Sequence, residues 1–358
     1  MDQALSQLCE TVRAASEART PLLIRAGGTK DFYGNESSGT VLDPRSVAGI
    51  VDYEPTELVV TARAGTSLTE LEQLLAENGQ MFAFEPPHFG AHATIGGCIA
   101  AGLAGPRRVS FGPTYGGVRD FVLGAKLVNG RGELLSFGGT VMKNVAGYDV
   151  SRVLAGSMGI LGVIAEVSIK VLPRPMSHHT LRFEMTAAAA VAKLNEWAGR
   201  PLPLSASVWH DGALHLRLAG APAAVRAARH QLGGEDIDNH QADAFWISIR
   251  EQTHPFFADN APLWRMSVPS TAPALSIGEP QLIEWNGALR WLRTGHAAEQ
   301  VRECAKQAGG HATLFRGGDR SAGAFTPLTA PLAAIHRRLK AQFDPVNLFN
   351  RGRLYPDL

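Results

Sequence analysis

Two glycine-rich loops, each fed by an apolar run, constrain this chain more than any other feature. The denser, ATIGGCIAAGLAGPRR at 93–108, gathers Gly96, Gly97, Ala100, Ala101, Gly102 and Gly105. Backbone this bare admits positive φ and lets a bulky ligand lie against it. Unpaired amides in such a loop form a concave nest for anionic oxygens. Thr94 and Ser110 add hydroxyl donors, and Arg107 and Arg108 add fixed positive charge. Taken singly, a loop of this kind is explained by a structural glycine turn. The second loop, IRAGGTKDFYG at 24–34 after the run PLLI, shifts the balance, because two separated nests suit a diphosphate gripped from both sides.

A chain of 358 residues is long for a single core and implies about two domains. Its net charge of +1, with both signs scattered evenly, gives no basic stripe and argues against nucleic acid as a partner. Cys9, Cys98 and Cys304 are odd in number and lack CxxC spacing, which fits a reducing, cytoplasmic setting. The N-terminus lacks a basic start and apolar block, and no run of about 18 uncharged apolar residues predicts a membrane span. GSMGILG at 156–162 departs from the dinucleotide fingerprint, and neither a P-loop nor a Gly-x-Ser-x-Gly elbow occurs. His178 and His179 are adjacent, so on a strand they point to opposite faces, and no metal site is expected.

In chain order, residues 2–19 read as a helix with Leu5, Leu8, Val12 and Ala15 on one face, ended by Pro21. PLLI and TVL read as short strands, followed by two more across the Glu-Pro turn of VDYEPTELVVTARAG. SLTELEQLLAENG predicts a helix with a capping box from Ser67 to Glu70 and Gly79 at its end. FVLGAKLVNGRGELLSFGG predicts a hairpin turned at Asn129-Gly130. Beyond 176, the strand-like LRFEM, ASVWH, ALHLRL, LWRMSV, QLIEW and ALRWLR alternate with alanine-rich helices, as in a second α/β domain. PLTAPLAAIHRRLKAQFDP is a helix ending before Pro345.

The ordered set RAGGTK at 25–30, Ala64-Gly65-Thr66, TIGG at 94–97, KNVAGYD at 143–149 and GSMGILGVIAEV at 156–167 resembles the FAD-binding domain of the vanillyl-alcohol oxidase and p-cresol methylhydroxylase (PCMH) superfamily. PPHFGAHATIGG, REQTHPFF, WRMSVPST, GGHATLFRGG and FDPVNLFNRGRL extend the likeness over nearly the whole chain, to the family of FAD-binding E subunits of bacterial glycolate oxidase. The resemblance implies an α+β fold. A two-lobed PCMH-type FAD-binding domain would span 1–175, and a cap with an antiparallel sheet over the flavin 176–330. Residues 331–358 would return to the FAD domain. It implies Arg25, Ala26, Gly27, Gly28, Thr29 and Lys30, with Thr94, Ile95, Gly96 and Gly97, around the pyrophosphate. Ala100 and Gly105 would continue the second wall, and the Ile164 backbone would meet the adenosine end. Many superfamily members carry a flavin-linking histidine where this chain has Thr29, so the FAD is expected to be non-covalent. His88 and His92 lie off that position.

Related 2-hydroxy-acid dehydrogenases carry a His/His/Glu metal site in the cap that finds no match here. Two functional readings stay open. In one, the chain oxidises a small 2-hydroxy acid such as glycolate to glyoxylate, with Arg265, Arg290 and Arg316 gripping the carboxylate and Tyr148 donating a hydrogen bond or assisting proton removal. In the other it is a flavin-bearing structural or relay subunit without turnover of its own. Asp149 and Lys143 are read as braces of the Tyr148 segment. The resemblance also implies partners: a second flavoprotein subunit and an iron–sulfur subunit, since three scattered cysteines cannot hold a four-cysteine cluster. Membrane contact would then be peripheral, through the complex.

Overall fold

A computed structural model describes residues 3–108, 116–140, 149–275, 277 and 280–358. The architecture is α+β. Strands Ile50–Glu54, Val59–Arg63, Val163–Pro173, Val122–Val128 and Leu134–Gly138 lie side by side in that order, and Gln80–Phe82 adds to the long central strand Val163–Pro173. Helix Leu68–Glu77 packs Leu68, Leu71 and Leu75 beneath this sheet, each fully buried. A separate parallel pair, Leu22–Ile24 with Thr40–Leu42, delivers the chain to the first glycine loop. Helix Gln3–Glu17 covers it, burying Leu8, Cys9 and Val12.

Two local expectations are corrected. Ser67 stands at the N-cap of Leu68–Glu77, but its side chain makes no capping bond. The helix entrance is instead held by its backbone, with the Leu68 amide donating to the Ala93 carbonyl and the Ile95 amide to that of Thr66. The 122–138 hairpin forms, yet it turns through five residues, not two. Asn129 Oδ1 accepts from the Arg131 and Glu133 amides, closing an Asn-centred loop that leaves the Gly130 amide free to bond Phe343.

From Ser177 to Arg316 the chain builds one eight-stranded sheet in which every neighbouring pair is antiparallel. Alternation sorts its residues. Trp264, Met266, Leu292, Ala312 and Leu314 pack under helix Ala298–Gln307, whereas Leu263, Leu289, Trp291 and Phe315 join the core shared with the first domain. The seam between the two domains is also polar. Glu85 accepts both guanidinium nitrogens of Arg217, at 3.0 and 2.8 Å, and a third bond from Arg107 at 2.9 Å. Burial alone would raise the Glu85 pKa, but the two arginines prevail and hold it at about 2.

Helix Ala330–Phe343 carries the chain back. Lys340 is buried there, donating to Asp344 and to the carbonyls of Ile160 and Phe349. The segment that follows lies beside the first strand: Leu22 donates to Leu348, and Asn350 to Leu22.

Candidate functional site

The first glycine loop leaves its strand with five consecutive amides unspent. Those of Ala26, Gly27, Gly28, Thr29 and Lys30 donate to no acceptor among the described residues. Gly28 curls the loop through a φ of 67°, and Arg25 closes it by bonding Asp31 at 2.5 Å. Gly27 is required for contact: a Cβ there would lie 1.7 Å from the His92 carbonyl oxygen, so the two loops touch at that point. Lys30 ties them again, donating to the His88 carbonyl at 3.3 Å, with its pKa lowered by burial.

The second loop behaves differently. Residues Ile95–Ala101 wind into a short helix whose leading amides are consumed: Ile95 bonds Thr66, Gly96 bonds Ala64, and Gly97 bonds the Thr94 hydroxyl at 3.2 Å. Two facing nests were expected, and the 95–97 stretch of the second loop is not one. It is a smooth wall, since tight helical winding uses the donors that an open loop would have left free. Thr94→Ala should therefore cost about 1 kcal/mol in chemical denaturation, the usual value of an N-cap.

A cleft of about 360 Å³ lies between these loops. Arg25, Ala26, Gly27, Gly28, Thr29, Lys30, Thr94, Gly97 and Ala100 line it, together with His92 and Met158. Asn350 and Arg353 complete it from the returning C-terminal segment. Asn350 accepts from the Ile24 amide and donates to Met158, both at 2.7 Å, and Arg353 donates to the carbonyls of Asp31 and Asn35. Four expected residues stand elsewhere. Ile95 is fully buried in the core, and Gly96 packs on Ala64, where a Cβ would approach to 2.6 Å. Gly105 lies against Glu85 with φ of 67°, and Ile164 is buried in the sheet, paired with Leu127.

Ala101 and Met158 also line a second, larger cleft of about 780 Å³ between the domains, so the two spaces adjoin. Arg108, Tyr33 and Tyr355 face it from the first domain, and Arg265, Ser267, Trp285, His311 and Thr313 from the cap. Strand register explains the cap's contribution: Arg265 pairs with Thr313 and Ser267 with His311, placing all four on one face.

Of the three cap arginines, Arg265 alone reaches this cleft. Arg290 pairs with Met266, one residue out of phase, and so points to the opposite face. There it is wholly buried, donating to the Gly287 and Ala272 carbonyls, with burial lowering its pKa to about 10. Arg316 lies over Phe32, 4.6 Å from the ring centre, and bonds Gln252 at 2.9 Å, sealing the domain seam. Tyr148 and Lys143 fall outside the described residues, as does Ser110. Asp149 braces its own segment by bonding Ser151 and Arg152. Among the described residues no three His, Cys, Asp or Glu side chains converge as a metal site. His178 and His179 instead pair with Asp243 and Asp236.

Met158, Asn350, Arg353 and Tyr33 were not singled out from sequence. Met158 and Tyr33 sit inside motifs that were noticed, so a local signal existed. Asn350 and Arg353 likewise sit inside the quoted FDPVNLFNRGRL motif, which gave no sign of the cleft they would line.

A family model described as FAD binding domain matches residues 3–152. The chain is 49% identical over 351 residues to the glycolate oxidase subunit GlcE of Escherichia coli (strain K12), covering 98% of this chain and 97% of that one. It is 29% identical over 201 residues to the glycolate oxidase subunit GlcD of Bacillus subtilis (strain 168), covering 55% and 42%. It is 34% identical over 162 residues to the D-lactate dehydrogenase of Anaerostipes hadrus, covering 45% and 31%. Among solved structures, an alkyldihydroxyacetonephosphate synthase shares the fold, with a TM-score of 0.66 at 15% identity over 96% of this chain and 73% of that one.

Proposed function

The chain belongs to the family of the glycolate oxidase subunit GlcE, and from that premise we propose that it is the FAD-bearing subunit of a multi-subunit glycolate oxidase. It takes part in oxidation of glycolate to glyoxylate and hands the electrons to partner subunits. The observation that supports this most is a nest of five unspent amides opening into a cleft that adjoins a larger space under the cap. Those amides, from Ala26 to Lys30, would hold a diphosphate, with Gly97 and Ala100 as the facing wall. The chemistry FAD supplies when bound is acceptance of two electrons from a CH–OH carbon. The protein's share is to seat it, exclude water beneath the cap, and hold charge near the reacting carbon.

Thr29 has a hydroxyl where a linking histidine would be needed, so the FAD is held without a covalent bond. Acid or heat should release all flavin into the supernatant, as read by absorbance. Flavin that stays with the precipitated chain would refute this. The electrons leave through a second flavoprotein subunit and an iron–sulfur subunit, since Cys9 and Cys98 are buried apart and Cys304 stands alone in the cap. No helix among the described residues is long and apolar enough to cross a membrane. In this reading, contact with the inner membrane is peripheral and made through the complex, with this subunit on the cytoplasmic side.

A second reading, an electron-relay subunit with no turnover of its own, is separated by one assay. Glycolate and an artificial acceptor are added to the flavin-loaded chain, alone and with partner subunits. Turnover is expected in the assembled complex and should fall in proportion to substitutions in this chain's interdomain cleft. Protein that takes up no flavin on reconstitution would overturn both readings.

A further inference from the structure

The interdomain cleft holds more positive charge than the chain itself uses. Arg108, at the end of the second glycine loop, and Arg265, on a cap strand, both lie over Trp285, with guanidinium carbons 4.5 and 5.2 Å from the ring centre. Neither guanidinium makes a hydrogen bond or ion pair among the described residues. Burial lowers the Arg108 pKa, and the charge of Arg265 lowers it further. The cleft's described carboxylate, Asp120, accepts from the Gly117 amide at 2.7 Å, and its charge offsets part of the effect of Arg265 on Arg108.

The tryptophan that both cations lie over is held there against its own preference. Trp285 has φ of 53°, followed by Asn286 at 54° and Gly287 at 101°. A left-handed tryptophan persists only where its surroundings over-determine it. Here the Ser207 hydroxyl accepts from the Asn286 amide and donates to its side-chain oxygen, and Trp285 Nε1 donates to the Gly105 carbonyl at 2.8 Å. Across the cleft Tyr33 is 7% exposed, its ring fixed by Phe315 and Phe325, and its hydroxyl has no partner among the described residues.

Building on the reading above, we propose that Arg108 and Arg265 form a two-armed clamp for the carboxylate of the small 2-hydroxy acid, while Tyr33 hydrogen-bonds its hydroxyl. Two planar forks around one anion relieve their mutual repulsion, and the indole that both lie over restricts their planes and keeps water off one side. A phenol whose hydroxyl opens into the cleft without a protein partner is free to bond a ligand that brings a hydroxyl.

The test titrates oxalate, a small carboxylate that cannot be oxidised at a CH–OH carbon, into the FAD-loaded chain by calorimetry. Arg108→Gln and Arg265→Gln should each weaken oxalate about 10- to 100-fold, and Arg265→Lys, which keeps the charge and loses the fork, should recover part of the loss. Tyr33→Phe should leave oxalate nearly unchanged and narrow the preference for glycolate over acetate several-fold. Arg182→Gln, an exposed cap residue paired with Glu184 and Glu235, should change neither. Unchanged oxalate affinity in both glutamine variants with FAD content intact overturns the clamp and leaves the functional reading standing. So does loss of FAD in those variants with no loss of oxalate binding, which would assign the two cations to the cofactor. If even the unmodified chain takes up no FAD, the functional reading fails, and oxalate binding to the flavin-free chain still decides the clamp.

Discussion

Gly97→Asp is expected to strip the protein of FAD while leaving it folded. A Cβ at Gly97 meets only the Thr94 hydroxyl, at 3.3 Å, and the residue lines the cleft facing the amide nest, so the new side chain fits but projects where a diphosphate would lie. Two like charges about 4 Å apart at an effective dielectric of about 20 repel by about 4 kcal/mol, which weakens binding roughly a thousand-fold. Gly97→Asn, equal in size and uncharged, should retain most of the cofactor. The ratio of flavin to protein absorbance gives the answer, with circular dichroism confirming the fold. An aspartate variant carrying stoichiometric FAD would remove this cleft as the cofactor site. Gly27→Ala should fail in another way, through misfolding of both loops, because its Cβ would collide with the His92 carbonyl.

Glu85→Ala is expected to cost about 3–5 kcal/mol, the usual penalty for leaving buried charge uncompensated. It strands Arg107 and Arg217, whose side chains are 17% and 9% exposed, on either side of the domain seam. The melting temperature should fall by roughly 10 °C. The same carboxylate sets an acid limb. Its folded pKa, about 2, lies below the ordinary 4.5, so its stabilisation is complete above about pH 4.5 and is lost as pH falls toward 2. The amount is about 3 kcal/mol. In Glu85→Gln that contribution should be missing, and unfolding curves between pH 5 and 2 should converge with those of the unmodified chain. Curves that stay parallel would show that the seam does not depend on this ion pair.

What could be read from the chain alone follows the range of the interactions. The loops 25–30 and 94–97, the first helix and the cap strands were legible because glycine clusters and periodicity are local signals. The capping box at Ser67 misled because a backbone pairing with residues 93–95 outcompeted the side chain for the helix entrance. The 94–97 stretch was inferred as a nest although its amides are spent in a helical turn, since composition cannot tell an open loop from a glycine-rich helical turn. Arg265 and Arg290 looked equivalent in sequence, and only strand register, which follows from pairing at a distance, separates the cleft face from the helix face. Asn350 and Arg353 were invisible as cleft residues because their contacts reach back more than 300 positions, to Ile24 and Asp31.

That last contact has a consequence for how the protein is made. The amide nest at residues 26–30 precedes the cap in the chain, yet the cleft it opens into gains its remaining wall from Asn350 and Arg353, which emerge only after the entire cap. Nascent chains halted anywhere before residue 353 therefore carry the amides without the wall. On the proposed reading of this cleft as the FAD site, its full set of contacts is available to the cofactor only once residue 353 has joined the fold, so complete FAD binding would come late in synthesis.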